Sequence, residues 1–220
     1  MRYNHIDFLR GIAFILMLIH HIHYFNPKKY SLPKNVKISG SFARSIFLLL
    51  VGVSISLSGK KKIITKKNLQ LLMSAISITL VTYIFLPNNN IIFFGVIHFI
   101  FTAIIILKPI SDNIILIYLI GIISFLNHTY LKTLRGTNNI VGLSLGRYSI
   151  SRMPVDIFPL FKWLPYVCIG IELGRYYKKL QFKSKPIFEP LEFIGRNSLL
   201  LYILHIIPCI IWMSKKYQKI

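Results

Sequence analysis

The stretch from Ile6 to Tyr24 reads IDFLRGIAFILMLIHHIHY, and it decides the class of this protein. It is long and apolar enough to enter a bilayer, yet it carries Asp7, Arg10, His20, His21 and His23. Ionisable groups at membrane depth are costly, so they face protein or a wet cavity instead of lipid. On an ideal helix Asp7, Arg10, Met17 and His21 fall in one narrow stripe, with His20 well off it. The rise from Arg10 to His21 is about 16 Å. An acid and a base near one membrane face therefore share a stripe with an imidazole toward the other. Either Asp7 and Arg10 pair at the interface of an anchor helix whose histidines form an outer belt, or the stripe lines a functional site; His21 favours the second.

The rest of the chain agrees with a membrane protein. Of 220 residues, 54% are hydrophobic, which indicates one integral membrane domain over residues 1–220 and excludes an ordinary soluble fold. Lysine and arginine number 27 against 6 acids, a formal charge of +21. These cations lie in short turns between apolar runs, so they read as topology signals and contacts to anionic membrane lipids, not as a nucleic-acid surface. The same turns could receive a phosphate-bearing cosubstrate. Cys168 and Cys209 sit inside apolar runs without metal spacing, so neither a disulfide framework nor a metal site is expected.

The hydropathy pattern predicts an all-α bundle of about seven transmembrane helices, over 6–25, 42–58, 68–86, 91–107, 114–126, 158–174 and 193–213. Pro27 and Pro33 mark the first loop. Gly52 and its neighbouring serines allow close helix contact in the second span, which Arg44 enters. Five lysines between Gly59 and Lys67 place that turn, and with it the amino terminus, on the cytoplasmic side. Pro87 to Asn90 is an uncharged turn of the opposite face. The polar segment from Asn127 to Asp156 is long enough to fold over the mouth of the bundle, and His20, His23 and His128 read as interfacial. Trp163, with Pro159, Lys162 and Pro165, reads as an interfacial anchor set, and Arg175 to Lys185 as a second basic turn. Glu172 is expected to pair with an arginine or Lys178. No glycine-rich phosphate loop or nucleophile elbow occurs, so any chemistry must be assembled from separate helices.

Five stretches, in order, resemble one family. They are Ile6-Asp7-Phe8-Leu9-Arg10-Gly11-Ile12-Ala13 with Met17 and His21; Phe47 to Ser58 around Val-Gly-Val-Ser; Phe94-Gly95-Val96-Ile97-His98-Phe99; Asp156-Ile157-Phe158-Pro159-Leu160-Phe161-Lys162-Trp163 with Gly170 and Gly174-Arg175; and Gly195-Arg196-Asn197-Ser198 with Tyr202 and His205. Together they resemble the heparan-alpha-glucosaminide N-acetyltransferase catalytic-domain family, in a compact bacterial-type form. The last stretch is also similar to the broader acyltransferase-3 membrane enzymes. The resemblance implies a membrane acyltransferase that moves acetyl from acetyl-CoA to an amino sugar or other saccharide acceptor. The animal members carry a histidine in a His-Ala-Ser-Trp-Asn-Gly stretch after the first helix, whereas Asn26 to Ser41 holds none, which shifts that part to His21 or His98.

Acyl transfer needs a base for the acceptor's proton and donors for the carbonyl oxygen. His21 is the expected base or acyl carrier, with His98 as its partner; His98 reads equally as a core histidine bonded to backbone. Arg10 and Arg196 are candidates to clamp coenzyme phosphates. Asp7 supports Arg10. Asn197, Ser198 and His205 share the last helix and either orient substrate or bond between helices. Asp156 and Trp163 either meet acceptor hydroxyls and a sugar face or act as helix cap and anchor. A non-enzymatic carrier or a lipid-binding scaffold is the alternative, without the inverted repeats of many carriers. The cell (plasma) membrane is the expected location, and a homo-oligomer is left open.

Overall fold

The computed structural model describes residues 3–24, 34–58, 65–87, 91–134, 140–147, 156–179 and 187–217. Among these residues the chain is helical without strands: α1 (Asn4–Tyr24), α2 (Lys34–Ser58), α3 (Lys66–Phe85), α4 (Val96–Leu107), α5 (Ile114–Thr133), α6 (Ile140–Leu145), α7 (Leu160–Lys179), α8 (Glu189–Arg196) and α9 (Ser198–Tyr217). Five stretches are long and apolar enough to cross a bilayer: Asn4–Ile22, Ile38–Ser58, Lys66–Phe85, Ile114–Leu131 and Ser198–Lys215. α4 has 12 residues, about 18 Å of helix, and α7 carries Lys162, Glu172 and Arg175 along its length. The expectation of about seven spans is therefore met by five helices on these grounds, with α4 and α7 as the two exceptions.

Burial explains the exceptions. α3 and α5 expose long apolar side chains such as Leu80, Ile84, Ile115, Ile122 and Phe125, the faces that lipid would cover. α4 and α7 instead contribute Phe99, Ala103, Leu107, Val167 and Ile171, all without exposure, to the core. An element with one face packed deep in the core need not match the bilayer in length or polarity, although α7 also exposes Ile169 and Leu173.

Glycine seams set the closest approaches. α2 and α7 touch backbone to backbone, because a Cβ on Gly52 would run into the Val167 carbonyl and one on Gly170 into the Leu49 carbonyl. At the other seam, a Cβ on Gly195 of α8 would strike the Asp7 carbonyl of α1.

The second helix starts at Lys34, so 34–41 is helix and not loop. The sixth expected span runs past 174 to Lys179, which takes Arg175 to Lys179 out of the basic turn. Three further boundaries differ from expectation. The closing span over 193–213 is split at Asn197, where α8 ends and α9 begins. Pro190 near the start of α8 and the Glu192 carboxylate, which accepts the N–H groups of Ile187 and Phe188 at 2.7 and 3.3 Å, give α8 its own amino terminus. The fourth span begins at Val96 and not at Ile91, since the Ile92 N–H and carbonyl are bonded by the hydroxyls of Thr82 and Thr79. The fifth runs past Leu126 to Thr133, because Asn127 and Thr129 satisfy their own donors on the carbonyls of Ile123 and Leu126. His128 is buried against the protein. Residues 26–33 of the first loop, the lysines of residues 59–64, Asn88 to Asn90, Arg135, Arg152 and residues 180–185 of the basic turn before α8 lie outside the described residues.

Candidate functional site

The ionisable residues of α1 go to two different places. At the amino-terminal end the buried Asp7 carboxylate accepts from Arg10 Nη1 at 2.9 Å, and Arg10 Nη2 donates to Ser54 Oγ of α2 at 2.5 Å. Near the start of α8, Leu191 is pressed on Gly11. The lysine-rich end is also where Arg175 donates to the Ser111 carbonyl and pairs with Glu172 at 3.3 Å.

At the opposite end, His21 Nδ1 lies 2.9 Å from His205 Nε2 of α9. The two rings are 11° from parallel with centroids 5.1 Å apart. His205 is gripped edge-on by Tyr202 at 5.1 Å and by Phe14 at 5.9 Å. One turn before His205, the Tyr202 hydroxyl donates to Asp156 Oδ2 at 3.3 Å. Asp156 also receives the Val96 N–H and lies within electrostatic reach of Arg44. Burial pushes the Asp156 carboxyl above the usual carboxylate range, opposed by the hydrogen bonds from Val96 and Tyr202 and by the Arg44 charge.

Arg44 connects the cluster to α7. Its guanidinium carbon stands 5.6 Å over the Trp163 ring, and Lys162 Nζ stands 4.9 Å from the same ring. Arg44 Nε donates to the Gly40 carbonyl at 3.2 Å, and His20 packs where a Cβ on Gly40 would be. Arg44 is also near enough to His21 to act on it through its charge. Gly95 explains how the Asp156 segment comes so close to α4: a Cβ there would stand 2.8 Å from Asp156 Oδ2. The Phe158 N–H donates to the Phe94 carbonyl at 2.9 Å and holds the two segments in register.

Of the expected site residues, His21, His205, Asp156 and Trp163 thus belong to one cluster. His98 is held elsewhere: its Nε2 is 3.0 Å from Thr79 Oγ1, whose hydroxyl proton goes to the Ile92 carbonyl at 2.8 Å, so His98 is the donor in that contact. Arg196 is exposed at the carboxyl end of α8. The Asn197 amide bonds back to the Phe193 carbonyl at 2.9 Å, and Ser198 is half-buried at the first position of α9. No group of three metal-ligating side chains occurs among the described residues.

Arg44, Tyr202 and His20 were not among the residues assigned a role from the sequence. A signal existed for two of them. Arg44 is a cation at the entry of an otherwise apolar run, and Tyr202 precedes His205 by three residues, hence on one helix face.

The family model described as heparan-alpha-glucosaminide N-acetyltransferase, catalytic, matches residues 2–207, nearly the whole bundle including both halves of the histidine pair. The chain belongs to that family. It is thus a helical membrane protein of an acetyltransferase family. No curated protein and no solved structure matches the chain.

Proposed function

We propose that this protein transfers acetyl from acetyl-CoA to the amino group of an amino sugar, or to another saccharide acceptor, with His21 as the general base. The observation that carries the reading is the 2.9 Å contact between His21 and His205, two imidazoles from separate membrane helices beside a carboxylate, a guanidinium and an aromatic face. Acyl transfer asks for a proton acceptor, and a neutral imidazole supplies one near neutral pH. Asp156 and Trp163 would meet acceptor hydroxyls and a sugar face, with Arg44 as a cation for the developing oxyanion.

When bound, acetyl-CoA supplies the activated acyl group as a thioester. Exposed Arg196 fits a contact to its phosphates. Arg10, already serving Asp7 and Ser54, adds positive field behind it. These arginines are at the lysine-rich end, about 16 Å along α1 from His21. We infer that this end is cytoplasmic, that the chain makes seven passes of the plasma membrane with α4 and α7 among them, and that the cosubstrate enters on one side while the acceptor is met at the other. Anionic lipids would lie against the basic turns.

The test is acetyl transfer or CoA release by purified protein in lipid nanodiscs, comparing wild type with His21→Ala and His98→Ala. The reading expects His21→Ala to lose at least 100-fold in kcat with helical content retained. Full activity in folded His21→Ala would overturn it. A large loss confined to His98→Ala would move the base to α4.

A further inference from the structure

Tyr202 is buried on α9, and its two ends touch different parts of the site. The hydroxyl donates to Asp156 Oδ2 at 3.3 Å, 46 residues back along the chain. The ring stands at 69° to the His205 ring, with centroids 5.1 Å apart. Asp156 itself lies outside any helix, before α7. Its carboxylate receives the Val96 N–H at the start of α4, and the missing Cβ of Gly95 gives it room there. Those contacts join Asp156 to α4; the Tyr202 hydroxyl joins it to α9. His205 is walled by His21 at 11° from parallel, by Phe14 edge-on from α1, and by Tyr202 from its own helix. Tyr202 is the wall that is also bonded to the carboxylate.

Resting on the reading of His21 as base and Asp156 as a contact to the acceptor, we propose that Tyr202 is a positioning residue with two separable duties. Its hydroxyl orients the Asp156 carboxylate for the acceptor, and its ring holds His205, and through it His21, in place. No atom of Tyr202 touches substrate in this scheme. A carboxylate that has lost one of its donors can rotate, and a rotating acceptor loses directional bonds to a sugar equally in the ground and transition states, which raises KM. An imidazole that has lost a wall tilts, and the contact it makes to His21 at 2.9 Å is disturbed during chemistry, which lowers kcat. The scheme holds whichever of the two imidazoles donates in that contact. A tyrosine that merely filled space would show neither division, because its loss would act on both constants together.

The experiment combines steady-state kinetics, with acetyl-CoA and glucosamine as the probes, and NMR of the full chain in nanodiscs with labelled histidine and aspartate. Asp156 is one of three aspartates, so its carboxyl carbon is readily assigned. Tyr202→Phe keeps the ring and is expected to move the Asp156 carboxyl signal while the His205 ring signals stay. It should raise the acceptor KM about tenfold and lower kcat only about threefold. Tyr202→Leu is expected to move both sets of signals and to lower kcat about 30-fold. In an Asp156→Asn background, Tyr202→Phe should change the acceptor KM by less than about twofold, since the hydroxyl then has no carboxylate to orient. A folded Tyr202→Phe with the Asp156 signal unmoved would overturn the proposal without any substrate, and so would an unchanged KM or the same tenfold rise in the Asp156→Asn background. The expected NMR pattern in a protein that transfers no acetyl would bear out both contacts and sink the enzymatic reading, so the two fail separately.

Discussion

The two ends of α1 hold the same kinds of residue to different effect. At the lysine-rich end an acid and a base satisfy one another: Asp7 is buried, Arg10 neutralises it, and Ser54 takes a further donor. At the far end His21 meets another imidazole, with Asp156 and Arg44 at one remove. A charge cancelled in place stabilises a helix contact, whereas a neutral nitrogen held in a fixed direction can still accept a proton. Under the proposed function, the difference separates structural from chemical use of polar residues in the same membrane helix.

The sharpest way to break that contrast is His21→Ala, expected to abolish at least 99% of transfer while leaving the thermal midpoint within a few degrees. Arg10→Ala should do the reverse. It leaves the Asp7 carboxylate buried without its cation, at a cost of about 3 kcal/mol in stability, read as a lower midpoint for loss of helix signal. The double change Asp7→Asn with Arg10→Gln should recover much of that. His98→Ala is expected to cost about 1 kcal/mol through its lost bond to Thr79 and to change kcat less than fivefold. Tyr202→Phe removes the hydroxyl from Asp156 but keeps the ring against His205, so a drop in kcat of about threefold is expected and an effect as large as that of His21→Ala is not.

Much of the fold was legible because the bilayer constrains it strongly. Runs of apolar residues separated by lysine-rich turns could only be membrane helices. What was misread depended on tertiary enclosure. α4 is short because Thr79 and Thr82 capture the backbone of Ile92 before it can wind, and nothing local in Ile91 to Gly95 announces partners on α3. At the site, helical phase singled out His21 but could not say what it would meet. His98 was the reasonable partner by depth; α9 brings His205 instead, and that choice depends on the break at Asn197, which sets the rotation of the last helix. Gly95 was legible as a place of close approach, while its visitor, the Asp156 carboxylate from far along the chain, was not.

The bare backbone seam between α2 and α7 has a mechanical consequence. With no side chain between Gly52 and Gly170 to compress or slide, these helices behave as a single spar, and Arg44 and Trp163 keep a constant separation on it. α9 touches its neighbours sparsely and follows a break in the chain, so it is the member that yields first when the bundle breathes. Tyr202 and His205 ride on that helix, so the imidazole contact to His21 loosens with it while the Arg44 and Trp163 contact stays in place.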